Sequence, residues 1–169
     1  MTDRYNTPVP PPDALAARFV LGIAPTENVP WWAAQWLADG YDGPALRELA
    51  GLTGRDPHEV NDLLPAALAE MGIRMPPSAV AAASEAFRQM AEMCLTGQAA
   101  ERWVAQQVED IVARIDYRSD VIDLPLGRLY GVEDEWEGGW GATVDELKMT
   151  VRARCAEQLR APLDVKASQ

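Results

Sequence analysis

Three times between Asn28 and Gly72 the chain repeats one punctuation: a residue able to cap a helix, a proline close behind it, apolar residues spaced at three or four, and a glycine. Asn28, Pro30 and Gly40 frame the first stretch, Asp42, Pro44 and Gly51 the second, and Asp56, Pro57 and Gly72 the third. Capping side chains accept the orphan N–H groups of a helix start, proline removes a donor that would be orphaned there, and glycine enters the left-handed turn that ends a helix. Such a grammar specifies short helices joined by tight turns. No segment alternates apolar and polar residues at the period of two that a half-buried strand requires. The expected fold class is therefore all-α, with about seven helices in one domain over residues 13–160, preceded by an arm at 1–12 and followed by a tail at 161–169.

Within residues 13–74 the expected helical cluster carries its apolar stripes at helical spacing. Leu15, Phe19 and Ile23 lie four apart, and Trp32 and Trp36 share a face that Trp31, turned about 100° away, cannot share. Asp56 and Glu59 have the spacing of a reciprocal capping box, while Pro65 is expected to kink or split the helix they open. Met75-Pro-Pro-Ser reads as a linker. Beyond it, residues 78–117 repeat the helical period twice around Gly97, which predicts an antiparallel hairpin as the scaffold of the carboxy-terminal half. Residues 120–142 show no sustained period and read as a long structured loop with at most a helical turn. Thr143 and Glu146 then form a second capping-box signature, opening a helix over 143–160 with Leu147, Val151, Cys155 and Leu159 inward.

Charge narrows the partners. The net charge of −11 opposes binding to phosphate backbones and anionic lipid, and favours cationic or neutral partners. No apolar run approaches the roughly 18 residues that a membrane span needs, and the first residues lack a charged-then-apolar leader, so a cytoplasmic protein with no membrane association is expected. Cys94 and Cys155, each alone within an apolar helical pattern, read as small buried thiols. Thirteen arginines against two lysines is a usage typical of high-GC bacterial coding.

Leu46, Ala50, Gly54, Val60 and Leu63 reproduce a spacing that resembles the helix-turn-helix module of DNA-binding regulators. The resemblance covers about 20 residues and implies two helices crossing at a tight glycine turn, the second presented to a major groove. Arg55 stands where that module usually has an apolar residue, and Pro65 falls inside the second helix. Residues 26–74 carry eight acids against three arginines, the wrong sign for a phosphate-binding face. A packing role, or a protein partner, fits the stretch better than nucleic acid. His58, the only histidine, occupies the first turn of a helix without the second histidine or cysteine ligands that zinc needs, and no nucleophile elbow, phosphate loop or dinucleotide fingerprint occurs.

The strongest candidate site is the run from Tyr130 to Trp140. Between Asp120 and Glu146 stand eight acids and one base, and the stretch Leu147–Gln169 that follows has five bases and two acids. One arrangement is internal, with Trp136 and Trp140 plugged into the core and the acids facing Arg152, Arg154 and Arg160. The other is a binding surface of Tyr130, Glu133, Asp134, Glu135, Trp136, Glu137 and Trp140, where aromatic anchors and an acidic rim suit a basic protein partner. The carboxylates lack the ligand alternation and turn glycine of a calcium loop, so no metal or other cofactor is expected. The functional expectation is a non-enzymatic acidic binding module, such as an adaptor, a regulator or an inhibitor of the immunity-protein type, able to form a homodimer. A degenerate helix-turn-helix regulator and a carboxylate enzyme of unfamiliar type are the alternatives.

Overall fold

The computed structural model describes residues 8–162, and among them every regular element is helical. The chain divides into two compact units, Met1–Pro76 and Pro77–Gln169, at the proline pair read above as a linker.

The first unit holds α1 (Pro12–Val20), α2 (Val29–Ala38), α3 (Pro44–Ala50) and α4 (Pro57–Glu70). The expected arm reaches only part of 1–12: Pro12 is the first residue of α1, and the Pro10 carbonyl accepts a hydrogen bond from Trp36 Nε1 at 3.2 Å. The remainder of that arm, residues 1–7, lies outside the described residues, as do residues 163–169 of the tail. Trp32 and Trp36 are buried side by side with Leu15, Leu46, Leu49, Val60, Leu64 and Leu68, while Trp31 is half-buried at the edge of the cluster. Burial of Trp32 leaves its indole N–H without a hydrogen-bond partner, at a cost of about 1–3 kcal/mol that the surrounding apolar packing offsets.

Several local signals act differently from their sequence reading. Asn28 makes no capping hydrogen bond. Asp42 does not cap α3 either: it holds Arg47 in a two-pronged ion pair, and the N-cap position falls to Gly43, which has no side chain to offer. The orphan amides of Ala45 and Leu46 donate instead to the two carboxylate oxygens of Glu70, at 2.9 and 3.0 Å, from the far end of α4. Asp56 does cap α4, but it accepts from the His58 amide at 2.9 Å rather than from Glu59, so the reciprocal box is not formed. Pro65 does not split α4, which runs through it as one helix of 14 residues. Between α3 and α4, Gly54 is buried at φ +74°, and a β-carbon there would lie 2.8 Å from the Glu27 carbonyl oxygen, so both the left-handed turn and the close approach demand glycine.

The second unit holds α5 (Ala79–Leu95), α6 (Glu101–Arg114), α7 (Ser119–Ile122), a 3₁₀ turn at Gly127–Leu129, α8 (Val132–Gly138) and α9 (Val144–Arg160). Nine α-helices are thus described where about seven are expected, because the stretch 120–142 is largely helical rather than a long loop. Helices α5 and α6 do touch across their short join, but α5 packs most extensively on α9. The reason lies in side-chain size: Ala82, Ala83, Ala86 and Ala91 are all buried along α5 and allow close approach of the α9 stripe Leu147, Val151 and Cys155. Buried Gln158 extends that stripe in place of Leu159, which is exposed rather than inward, and the Gln158 Oε1 accepts from the Leu126 amide at 3.1 Å, which fastens the segment before the 3₁₀ turn to α9. Thr143 and Glu146 form the expected capping box, with both reciprocal bonds present.

Candidate functional site

The acidic aromatic run lies in the second unit, and its shape is decided by three anchors. Helix α8 fully buries none of its seven residues, and its apolar Val132 and Trp136 are only half-buried, so polar anchors carry much of its placement. Glycines in the left-handed region bracket it, Gly131 at φ +92° and Gly139 at φ +63°. The Gly131 amide donates to Glu109 of α6 at 2.6 Å. Arg102, about two turns upstream of Glu109 on α6, donates through Nη2 and Nε to Glu133 at 2.8 and 3.1 Å, and Gln106 adds a third donor at 3.1 Å. The Arg102 guanidinium, followed by the smaller effect of Gln106, holds the Glu133 carboxyl below the usual carboxylate range.

The internal arrangement expected for this run is therefore wrong in its partners and in one anchor. Its acids face Arg102 on α6, while Arg152 pairs with Glu101, Arg154 pairs with Glu157, and Trp140 is 62% exposed rather than plugged into the core. The Trp140 indole lies over the backbone of Gly138, which explains a glycine at that position. Trp136 is half-buried.

The expected site residues now sort by what they have free to offer. Glu133 is spent on Arg102 and Gln106, with its side chain only 15% exposed. Glu135 is half-buried, with a carboxylate oxygen 3.0 Å from where a β-carbon on Gly141 would stand. Asp134 faces solvent, and Glu137 is 70% exposed, with a looser 3.7 Å approach to Arg102. Tyr130 is 42% exposed and meets Tyr117 edge to face, with ring centroids 5.7 Å apart and planes at 67°. Among the described residues no group of three or more His, Cys, Asp or Glu side chains is placed to hold a metal ion.

Tyr117 was not singled out from the sequence, and no local signal could have found it. Helix α6 ends with Asp116 at φ +56° and Tyr117 at φ +55°, two consecutive left-handed residues, and the Tyr117 amide closes the end by donating to the Val112 carbonyl at 3.0 Å. Glycine usually fills such a helix end; an aspartate adopts it with modest difficulty, but a bulky tyrosine costs about 1–2 kcal/mol. The strain leaves Tyr117 55% exposed against Tyr130. Desolvation, followed by Tyr117 and the nearby charges of Glu109 and Asp134, pushes the Tyr130 phenol above its ordinary value.

In the first unit, the surface of α4 shows Asp56, His58, Glu59, Asn61 and Asp62, all exposed. Two shallow cavities are found there, of about 270 Å³ beside Phe19 and Asn61 and about 220 Å³ beside Trp31 and Leu52, below the usual range for a small-molecule site. No helix among the described residues is long and apolar enough to cross a membrane. Comparison of the chain with protein families, curated proteins and solved structures returned no match.

Proposed function

We propose that this chain is a non-enzymatic acidic binding module of the bacterial cytoplasm, an adaptor, regulator or immunity-type inhibitor, that engages a partner protein through a basic surface. One observation carries the reading. Of the eight large apolar side chains exposed among the described residues, six, Tyr117, Tyr130, Trp140, Val144, Met149 and Leu159, fall between 117 and 159. That segment, 117–159, carries nine acids against five bases, and its acids concentrate between Asp120 and Glu146. Exposed aromatics are costly to hydrate and are favoured as interface anchors, while surrounding carboxylates steer and orient a cationic partner.

Trp140 is the anchor to test, with Asp134 and Glu137 as the rim. Truncating an interface tryptophan at a hot spot costs about 2 kcal/mol or more, roughly thirtyfold in Kd. The experiment is affinity purification from the native host with wild-type bait and with a Trp140→Ala/Asp134→Asn/Glu137→Gln bait, followed by calorimetry on each protein retained. The reading expects a basic partner whose affinity falls at least tenfold in the variant and falls with added salt. Retention of every wild-type partner at equal affinity by the variant would sink it.

A further inference from the structure

We infer that the Tyr117–Tyr130 pair is a receptor for an arginine side chain of the basic partner, rather than a general patch of negative potential. The inference deepens the reading of a basic partner and rests on it.

The geometry supplies what a guanidinium needs and an ammonium exploits less well. Two exposed rings in edge-to-face contact, 5.7 Å between centroids, present a π face beside a ring edge. A planar guanidinium stacks on such a face while its N–H groups point outward in its own plane, parallel to the ring, free to reach carboxylates at the rim. Those carboxylates are present. Glu109 is held beside the pair by its bond to the Gly131 amide, and Asp134 stands exposed in the first turn of α8, close enough for both charges to act on the Tyr130 phenol. Asp116 adds a third acid next to Tyr117, and the adjacent cation, Arg118, has its guanidinium engaged by Asp120 at 2.7 and 3.0 Å. Arg114 and Arg128 are exposed three and two residues before the two tyrosines, while the charged groups that act on Tyr130 itself are the acids Glu109 and Asp134. The left-handed backbone at Tyr117 adds a second reason. Glycine would relieve the strain there, so the ring brings something that the fold itself does not require.

The left-handed backbone also provides a clean test, because Tyr117→Gly removes the ring at a position where glycine is conformationally preferred. The full chain is titrated by calorimetry and by NMR of the tyrosine ring resonances, with nona-arginine and, separately, nona-lysine peptide. The expected result is that nona-arginine shifts the Tyr117 and Tyr130 rings and binds at least threefold tighter than nona-lysine. Tyr117→Gly should keep its circular dichroism and thermal midpoint yet lose at least fivefold in nona-arginine affinity. Tyr130→Phe should largely retain binding, since the π face survives. If Tyr117→Gly binds nona-arginine as wild type does, or the two peptides bind wild type equally, the receptor is refuted. If in that case the Asp134→Asn/Glu137→Gln variant still loses affinity, the reading of a basic partner stands without it; if wild type binds neither peptide, both fall.

Discussion

Replacing Glu70 by alanine tests whether a helix of the first unit is capped from across the fold. Helix α3 has no cap of its own, since Gly43 offers no side chain and Asp42 is committed to Arg47. Its first free amides, Ala45 and Leu46, donate to Glu70 at 2.9 and 3.0 Å. Losing an ordinary N-cap costs about 0.5–2 kcal/mol, and a hydrogen bond to a charged acceptor contributes about 1.5–3 kcal/mol net. Ala45 is half-buried, so water recovers part of the loss at its amide, and a net cost of about 2 kcal/mol follows for Glu70→Ala. Two side effects act the other way. Alanine is the better helix former, and Glu70 is a negative charge at the carboxy-terminal end of α4, where the dipole disfavours it by about 0.3–1 kcal/mol. The measured loss therefore understates the capping contribution. Glu70→Gln, which keeps one acceptor oxygen, should lose about half as much. The assays are urea unfolding followed by tryptophan fluorescence and amide exchange at Ala45 and Leu46, whose protection should fall about thirtyfold for 2 kcal/mol. An unchanged urea midpoint with unchanged protection of those two amides would refute the cross-capping.

Further outcomes can be measured alongside. Glu133 has a folded pKa below its unfolded value, so its contribution is complete above the ordinary carboxylate range and is lost as pH falls through the folded value. Glu133→Gln should accordingly release α8 at neutral pH, seen as faster amide exchange over 132–138, and flatten the acid dependence that wild type shows there. Gly54→Ala meets both a left-handed backbone and the Glu27 carbonyl, and should lose about 2 kcal/mol or more in thermal or urea unfolding; a loss under about 0.5 kcal/mol would mean that the turn rearranges freely. Cys94 and Cys155 are both buried free thiols, and burial, followed by the neighbouring Cys94, pushes Cys155 up to about 12. Both should resist iodoacetamide at pH 8 in the native protein and react promptly in urea, whereas native labelling at the rate of a free thiol would contradict their placement. A raised thiol pKa keeps its stability below the unfolded value and loses it as pH climbs towards about 12, so wild type should weaken in strong alkali more than Cys155→Ala does.

What local chemistry decides was legible residue by residue. Proline and glycine placement marked the helices of the first unit, and the four-residue spacing of Trp32 and Trp36 put both in its core. The Thr143–Glu146 box opened α9 as its spacing predicts, because both partners of that bond lie within one turn. The all-helical class followed from the same short-range rules.

Tertiary structure decided the rest, and each case involves groups far apart in sequence. Asp42 and Glu70 compete to serve the start of α3, and only packing tells that Arg47 claims the first and leaves the second for the amides. The stretch 120–142 shows no sustained apolar period because it buries only the scattered side chains of Val121, Leu126 and Leu129 and is otherwise fixed by polar anchors from elsewhere: Gln158 for the segment at Leu126, Glu109 for Gly131, and Arg102 for Glu133. Helix α8, with only Val132 and Trp136 half-buried, leaves too little hydrophobic pattern to read. Tyr117 entered the candidate site only because α6 ends in a conformation that its sequence disfavours, one that a single chain pattern cannot announce and that the surrounding contacts must impose.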